Sequence, residues 1–234
     1  METVTKEKQK YKLKFSQKVY RAIKAFADFI IAFVALIILA PLFVIIAIAI
    51  KIDSNGPVFF IQKRVGKGGK EFNCIKFRSM LVEADHNVAG YEYAEAKSYI
   101  TKVGAILRKY SIDELPQLFC LLTFKMSLIG YRPSQRNELE LMEEREQYDM
   151  YQIRPGISGW AQVNGRDVLA AQPKKKAAFD AYYLKNFSLW LDIKIFFKTI
   201  KVVFKGDGVE EGLIKRDREK ETEQKTSLEK TKKC

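Results

Sequence analysis

An uninterrupted apolar segment, residues 29–50, constrains the fold of this chain more than any other feature. It reads FIIAFVALIILAPLFVIIAIAI, contains no charged or polar side chain, and is bounded by Asp28 and Lys51. As a straight helix at ~1.5 Å per residue it would be roughly 33 Å long, and the hydrocarbon core of a bilayer is about 30 Å thick. No small-residue cleavage site follows it, as a secretory signal would require. The segment therefore predicts a helix that enters a membrane.

Basic residues flank this segment on both sides. The preceding flank holds Lys6, Lys8, Lys10, Lys12, Lys14, Lys18, Arg21 and Lys24. The following flank holds Lys51, Lys63, Arg64, Lys67 and Lys70. Because basic flanks stay on the cytoplasmic side, both ends are predicted to be cytoplasmic. Pro41, near the middle, removes a backbone donor and clashes with the preceding turn, so we predict a re-entrant helix hairpin broken at Pro41. A kinked spanning helix is the alternative.

The overall charge restricts the partners. The chain has 41 Lys and Arg residues against 28 Asp and Glu, a net charge of +13, which favours anionic partners such as lipid headgroups, phosphorylated small molecules or nucleic acid. No nucleic-acid-reading motif is visible, and the apolar segment favours a membrane. We therefore expect an anionic lipid membrane as a partner and no nucleic acid.

Histidine and cysteine are scarce. His86 is the only histidine, and the three cysteines, Cys74, Cys120 and Cys234, are widely separated. This composition does not suit a disulfide framework, a thiolate metal site or a Ser-His or Cys-His catalytic group. Any acid–base or metal chemistry must therefore use carboxylates.

The remaining patterns predict an α+β, mostly helical fold. Residues 57–80 contain two runs rich in Val, Ile and Phe on either side of a glycine-rich turn at residues 66–70, which indicates a β-hairpin. In residues 187–205, apolar side chains recur every three or four positions beside a stripe of lysines, the pattern of an amphipathic interfacial helix. A core helix with a solvated lysine face is the alternative.

The sequence SIDELPQL, which begins at Ser111, places two adjacent carboxylates after a basic run. Ser111 and Glu114 match an S-x-x-E capping box, although Pro116 would then fall where the helix needs a backbone donor. With Asp113 as the N-cap, Pro116 is tolerated and both carboxylates lie at the mouth of a helix. Such a pair also fits a catalytic dyad that holds Mg²⁺ or attacks phosphorus. The residues alone leave the cap and the dyad open.

Three stretches of sequence together resemble the bacterial sugar transferase family, the monotopic polyprenyl-phosphate phosphoglycosyl transferases. They are KRVGKGGKEFNCIKFRSM (63–80), RKYSIDELPQLFCLLTFKMSLIGYRP (108–133) and RPGISGWAQVNGRD (154–167). The resemblance implies transfer of a phosphosugar from a UDP-sugar to undecaprenyl phosphate with release of UMP, at the start of surface glycan synthesis. It also implies a re-entrant helix at residues 28–51, Mg²⁺ as cofactor and a location on the cytoplasmic face of the bacterial inner membrane.

The resemblance assigns roles to individual residues. Asp113 corresponds to the proposed nucleophile and Glu114 to a Mg²⁺ ligand, with Asp113 a second candidate ligand. The basic motif positions expected to bind substrate are Lys63, Arg64, Lys76, Arg78, Arg108, Arg132 and Arg154. The polar positions expected near the nucleotide are Gln162, Asn164 and Arg166. The chain departs from the family at Tyr131, where Gly-Pro-Arg-Pro is usual.

The implied organisation has four parts. Residues 1–27 form a polybasic membrane-surface segment, 28–51 the membrane helix, 52–205 a cytosolic catalytic domain that includes the interfacial helix, and 206–234 a charged disordered tail. Direct attack by the lipid phosphate, with Asp113 as a metal ligand or base, is a second mechanism. A catalytically silent membrane scaffold is the alternative function. The identity of the sugar and homo-oligomer formation are left open.

Overall fold

The computed structural model describes residues 11–84, 99–165, 169 and 172–205. Most of them are helical, and two small sheets complete an α+β fold, as predicted. The predicted tail at 206–234, His86 and Arg166 lie outside the described residues. The elements are α1 (Phe15–Asp53), β1 (Phe59–Val65), β2 (Glu71–Phe77), α2 (Lys102–Lys109), α3 (Leu118–Leu122), β3 (Ser127–Ile129), α4 (Leu139–Gln147), β4 (Gly156–Ser158), α5 (Trp160–Val163), α6 (Pro173–Lys185) and α7 (Leu189–Lys205).

The membrane segment is part of a single 39-residue helix, α1, with Pro41 in its interior. The predicted break at Pro41 is therefore not confirmed. A proline removes only one backbone donor, and an apolar helix can keep its other hydrogen bonds around it. α1 is long and apolar enough to cross a membrane, and only 11% of its most apolar window is buried by the rest of the protein.

The rest of the fold contacts α1 at three levels. Near its start, Lys24 pairs with Asp192 of α7 at 2.8 Å. In the middle, Ala32 is buried in a cluster with residues of β2 and α3. Near its end, Ile46 and Ile50 are buried with Phe77 of β2 and Leu107 of α2. Both ends of α1 therefore pack on the same body, while its large apolar side chains between these contacts are mostly exposed.

The predicted β-hairpin is confirmed. β1 and β2 are antiparallel, and Arg64, Gln62 and Phe60 lie opposite Phe72, Cys74 and Lys76. Directly opposed residues share a face of the sheet, and this face packs on the 3-10 helix at Ile112–Gln117. The turn needs glycine, because Gly68 and Gly69 have φ of 71° and 69°. The hairpin thus carries Lys76 to the carboxylates.

A parallel strand pair, β3 and β4, forms the second sheet, which the sequence patterns did not predict. The strands meet closely at Gly130, where a Cβ atom would lie 2.6 Å from the carbonyl oxygen of Arg154 and 2.6 Å from the nitrogen of Gly156. Only glycine fits such an approach. The end of β3 is therefore held in a fixed position, three residues before Arg132.

A helix, α7, is present where the sequence predicted one at residues 187–205, and its interfacial role stays a prediction. The face of α7 that packs on the rest of the protein contributes Leu191 and Ile195 to the hydrophobic core. Its outer side carries exposed apolar residues, among which Trp190 is 77% and Phe197 65% exposed. An amphipathic helix that keeps large apolar side chains on its outer side is suited to a membrane interface.

Candidate active site

The two carboxylates of Asp113 and Glu114 lie in a 3-10 helix, Ile112–Gln117, that leads into α3. Both predicted caps are wrong. Ser111 has a left-handed backbone (φ 56°, ψ 23°) and its side chain makes no cap hydrogen bond, whereas an N-cap residue is usually extended. Asp113 lies inside the 3-10 helix, so it is not an N-cap either. The side chains of the pair are therefore available for contacts with other parts of the fold.

Glu114 is the centre of an ion-pair network. Its Oε1 atom accepts hydrogen bonds from Lys76 Nζ and Arg132 Nη2, both at 2.8 Å, and its Oε2 atom accepts one from Arg132 Nη1 at 3.3 Å. Glu114 is only 7% exposed. Charge-assisted bonds of this kind hold the carboxylate in one orientation. The network joins β2, the 3-10 helix and the loop after β3.

Asp113 is in a different electrostatic environment. It is 9% exposed, and none of the hydrogen bonds made by the described part of the chain ends on its carboxylate. Burial raises the pKa of Asp113 and the charge of Glu114 raises it further, while Lys76, Arg108 and Arg132 oppose the shift. Asp113 is thus a desolvated carboxylate facing three cations.

The loop that carries Arg132 is held from two sides. The backbone nitrogen of Val65 donates to the carbonyl oxygen of Ser134 at 2.9 Å, and Arg64 Nη1 donates to the carbonyl oxygen of Pro133 at 3.3 Å. Tyr131, the departure from the usual family motif, is fully buried, with the Arg145 guanidinium 4.9 Å from the centre of its ring. The loop is therefore fixed even without the usual proline.

A pocket of about 260 Å³ adjoins the network. Glu114 and Arg132 line it, together with Gln162 of α5 and apolar residues of the 3-10 helix, β4 and α7. Gln162 Nε2 donates to the carbonyl oxygen of Ile157 at 2.9 Å. Among the basic and polar residues predicted to bind substrate, Lys76, Arg108, Arg132 and Gln162 are therefore close to the two carboxylates or to the pocket beside them.

Two predicted residues of the hairpin lie elsewhere. Lys63 pairs with Asn73 on the opposite face of the sheet from Lys76 and is exposed. Arg78, 4% exposed, donates hydrogen bonds to the carbonyl oxygens of Ser54 and Asn55, just after α1. Arg78 follows the end of β2, so the strand alternation that placed it beside Lys76 no longer applies. Arg78 holds the C-terminal end of α1 instead of lying at the carboxylates.

Two predicted residues of the RPGISGWAQVNGRD stretch also lie apart from the carboxylates. Arg154 is 3.8 Å from Asp28 of α1. The exposed Asn164 accepts a hydrogen bond from Lys198 of α7 at 2.8 Å. Short-range motif spacing does not determine which element a side chain contacts, and in these two cases the partners are on α1 and α7. Substrate roles for them remain predictions, as does the role of Arg166.

The sequence reasoning missed a buried polar cluster at the base of α1. Lys24 pairs with Asp28 at 3.3 Å and with Asp192 of α7 at 2.8 Å. Asp28 also accepts a hydrogen bond from Ser127 at 2.5 Å, and Asp192 one from Tyr183 at 2.6 Å. The only sequence signal is that Lys24 and Asp28 are four residues apart on one helix. The cluster joins α1 to β3, α6 and α7.

The carboxylate pair is a candidate site for Mg²⁺. In the described ranges, no group of three or more His, Cys, Asp or Glu side chains is placed to hold a metal. Mg²⁺ is usually held by one or two carboxylates, with phosphate oxygens and water completing the shell. The desolvated carboxylate of Asp113 beside the like charge of Glu114 fits such a cation. The pair therefore fits a cation whose coordination is completed by a substrate phosphate.

The chain is similar to several known proteins along most of its length. The UDP-N-acetylgalactosamine-undecaprenyl-phosphate N-acetylgalactosaminephosphotransferase of Aeromonas hydrophila is 44% identical over 194 residues, which is 81% of this chain and 45% of the relative. The UDP-glucose:undecaprenyl-phosphate glucose-1-phosphate transferase of Xanthomonas campestris is 42% identical over 181 residues, or 75% of this chain and 37% of the relative. The chain thus spans less than half the length of these two relatives.

A third relative is matched along most of its own length. The exopolysaccharide production protein ExoY of Sinorhizobium fredii is 37% identical over 190 residues, which is 75% of this chain and 83% of the relative. The model of the family described as bacterial sugar transferase matches residues 19–206. This match includes both carboxylates, the pocket and nearly all of α1 and α7. The chain therefore belongs to the bacterial sugar transferase family.

Proposed function

We propose that this chain is a phosphoglycosyl transferase. It moves a phosphosugar from a UDP-sugar to undecaprenyl phosphate and gives undecaprenyl-diphosphate-sugar and UMP. This reaction is the first membrane step in the synthesis of a bacterial surface glycan such as an exopolysaccharide, a capsule or a glycoprotein glycan. The names of the relatives support the substrate classes. The observation that carries the proposal is the desolvated Asp113 carboxylate beside Glu114, which is paired with Lys76 and Arg132.

The proposed reaction has two displacement steps at one phosphorus atom. The Asp113 carboxylate attacks the phosphorus that bears the sugar, an O–P bond forms, and the bond to the UMP phosphate breaks with its electron pair left on UMP. An oxygen of undecaprenyl phosphate then attacks the same phosphorus and displaces the carboxylate. Neither step needs a proton, so neither requires a histidine, of which the chain has one. Burial makes the carboxylate a stronger nucleophile, because water no longer solvates its charge.

Each cation around Asp113 has a proposed role. Arg132 and Lys76 lie within hydrogen-bond distance of Glu114 and act on Asp113 electrostatically, as Arg108 does. Positive charges that are already in position stabilise the transition state of phosphoryl transfer, because these side chains need not move as negative charge develops. We assign Mg²⁺ to Glu114 and Asp113, where it would neutralise charge on the phosphates.

The proposed location is the cytoplasmic face of the inner membrane. The contacts of both ends of α1 with one body support a position in which both ends lie on the same side of the membrane. The exposed apolar residues of α1 and α7 support contact with lipid. In this arrangement the carboxylates lie near the headgroups, where the phosphate of the acceptor lipid is located.

The test is UMP release by the detergent-purified chain from a panel of UDP-sugars, with Mg²⁺ and undecaprenyl phosphate. We expect release from one sugar, dependent on the lipid, and its loss in Asp113→Asn and in Glu114→Gln. Both variants should keep their circular dichroism spectra. Release that does not depend on Asp113, or no release from any sugar, would contradict the proposal and favour the silent scaffold.

A second experiment separates the covalent mechanism from direct transfer. The chain is mixed with the UDP-sugar alone, quenched in acid and digested, and the peptide with Asp113 is weighed by mass spectrometry. The covalent mechanism predicts an added phosphosugar mass on this peptide and one equivalent of UMP before lipid is added. UMP release that occurs only with lipid, and no adduct, would favour direct attack by the lipid phosphate.

A further inference from the structure

Trp160 of α5 lies between an aromatic ring and two cations. One face of its indole is stacked on Tyr182 of α6, with 5.2 Å between the ring centres and 24° between the ring planes. The ammonium groups of Lys194 and Lys198 of α7 lie 5.6 Å and 4.7 Å from the centre of the same ring. Because stacked rings leave no space for an ammonium group between them, both lysines cover the other face. Three helices thus bring two positive charges together.

Lys198 is held in this position by Asn164. Its Nζ atom donates to Asn164 Oδ1 at 2.8 Å, and Asn164 Nδ2 donates to the carbonyl oxygen of Trp160 at 2.7 Å. The amide is neutral, so it orients the ammonium group without cancelling its charge. An ammonium group has three donors, and this contact uses one of them. Lys198 is therefore placed in advance for a further acceptor.

The charges of the two lysines are not balanced by an acid. Asp192 is the only acidic residue of α7, and it is buried and paired with Lys24 at 2.8 Å. Among the residues that the structure describes, no carboxylate forms an ion pair with Lys194 or Lys198. Like charges four residues apart on a helix repel each other, and an indole ring attracts an exposed cation only weakly. An anion between the two ammonium groups would remove this repulsion.

The neighbouring residues of α7 indicate the source of such an anion. Lys194 lies one helical turn after Trp190, which is 77% exposed, and Lys198 directly follows Phe197, which is 65% exposed. An exposed apolar side next to a row of lysines is the arrangement of an interfacial helix whose lysines reach the headgroups. The anions at this depth of an anionic bilayer are lipid phosphates. One helix can therefore contact a phosphate and the acyl chains of the same lipid.

We propose that Lys194 and Lys198 bind the phosphate of one anionic phospholipid, a phosphatidylglycerol, beside the face of Trp160. This inference rests on the proposed location at the membrane interface. Each ammonium group donates to one of the two non-ester oxygens of the phosphodiester. Asn164 holds one of the donors, and Tyr182 supports the indole from behind. The bound lipid fixes the rotation of α7, so that its exposed apolar side faces the acyl chains.

The two cations also determine which headgroup is rejected. Phosphatidylcholine carries the same phosphodiester, but its quaternary ammonium would lie close to two further positive charges. A bare aromatic face would attract choline, whereas here the lysines occupy the free face of Trp160. The glycerol headgroup of phosphatidylglycerol has no positive charge. The site should therefore prefer phosphatidylglycerol to phosphatidylcholine.

The experiment is native mass spectrometry of the chain in detergent with equal amounts of phosphatidylglycerol and phosphatidylcholine. We expect one retained phosphatidylglycerol per chain and at least about fivefold less retained phosphatidylcholine. Lys194→Gln and Lys198→Gln should each lower the retained phosphatidylglycerol at least about fivefold, because only one ammonium group then contacts the phosphate. Lys201→Gln is the matched control. It removes the same charge from an exposed position of α7, so the retention should change less than about twofold.

Two competitors identify the source of the anion. Inorganic phosphate and UMP, each in large excess, should not displace the retained lipid, because neither has acyl chains to contact the apolar side of α7. Displacement by inorganic phosphate would mean that the lysines bind free phosphate. Displacement by UMP would mean that they belong to the nucleotide site. Either result overturns the assignment to a lipid, and both measurements use the unsubstituted chain.

Equal retention in Lys194→Gln, Lys198→Gln and Lys201→Gln would also overturn the inference, as would equal retention of the two lipids by the unsubstituted chain. None of these readouts depends on catalysis. A chain that releases UMP in an Asp113-dependent way but retains no phosphatidylglycerol keeps the proposed function and loses only this site. A chain that retains phosphatidylglycerol at the two lysines but releases no UMP from any UDP-sugar would instead overturn the proposed function.

Discussion

Arg132 and Glu114 face each other through a fork of two hydrogen bonds, from Nη2 to Oε1 at 2.8 Å and from Nη1 to Oε2 at 3.3 Å. The planar guanidinium matches the planar carboxylate, and a lysine cannot reproduce this geometry. Lys76 reaches the same Oε1 atom from the other side. Glu114 is therefore held between two cations, and its neighbour Asp113, which is similarly buried, has the less engaged carboxylate.

Replacement of Arg132 by lysine keeps the charge but removes the fork. A hydrogen bond to a charged group contributes about 1.5–3 kcal/mol, and about 1.4 kcal/mol corresponds to tenfold in rate. We expect kcat/KM for UMP release to fall roughly ten- to a hundredfold in Arg132→Lys. Arg136→Lys is the control, because Arg136 is exposed and its contact with Glu71 is 3.8 Å long. Equal losses in the two variants would contradict a specific role for the fork.

The two carboxylates should have opposite effects on stability, measured in metal-free buffer. The pKa of Asp113 is raised in the folded state, so the folded chain binds this proton more tightly than the unfolded chain. Ionised Asp113 therefore costs stability, and the cost appears as the pH rises from the unfolded pKa through the folded one. Asp113→Asn should melt at a higher temperature than the wild type at pH 8, with a smaller difference at pH 5.

Glu114→Gln should destabilise the chain, because it leaves Lys76 and Arg132 without their partner. A broken, fully buried pair costs about 3–5 kcal/mol, but the Arg132 side chain is 31% exposed, so we expect about 2 kcal/mol after solvent screening. Melting curves of both variants and the wild type check this pair of expectations. A decrease of similar size in both variants would mean that Asp113 is a structural residue.

The sequence predicted the elements whose signals are local. The hairpin follows from the glycine turn at residues 66–70 between two apolar runs, and α7 follows from the helical spacing of its apolar residues. β3 and β4, by contrast, have three residues each, too few for a period-two pattern to be recognised. Their pairing depends on the close approach of Gly130 and Gly156, which are far apart in the sequence.

The sequence predicted the pair of carboxylates in the site, but it did not predict which side chains form ion pairs with them. The capping box failed because the oxygens of Glu114 are taken by Lys76, 38 residues earlier, and by Arg132, 18 residues later. No spacing rule connects residues so distant. The same limit explains Arg154, whose charge is next to Asp28.

The cluster at the base of α1 should hold the membrane helix and α7 together. Asp192 is 6% exposed and accepts bonds from Tyr20 and Tyr183 at 2.6 Å in addition to its ion pair with Lys24. In Asp192→Ala, Lys24 keeps only its longer contact with Asp28, so we expect a loss of about 3 kcal/mol in the free energy of unfolding. Glu140→Ala, an exposed site on α4, is the control. Equal stability of the two variants would show that the cluster is not an anchor.

The membrane contact of α7 can be measured with the two tryptophans of the chain, Trp160 and Trp190. Trp190 is 77% exposed on the apolar side of α7. Trp160 is stacked on Tyr182 with a 5.2 Å separation between ring centres, and the ammonium groups of Lys194 and Lys198 cover its ring at 5.6 Å and 4.7 Å. Trp160 is therefore on the polar side, where lysines meet headgroups or water.

Single-tryptophan variants separate the two signals. In vesicles with brominated acyl chains, the fluorescence of Trp190 in Trp160→Phe should be strongly quenched, because an indole at the interface contacts the upper acyl chain. The fluorescence of Trp160 in Trp190→Phe should be quenched much less. Equal quenching of both, or none of Trp190, would mean that the apolar side of α7 is covered by something other than lipid, and the proposed position of the carboxylates at headgroup depth would then be wrong.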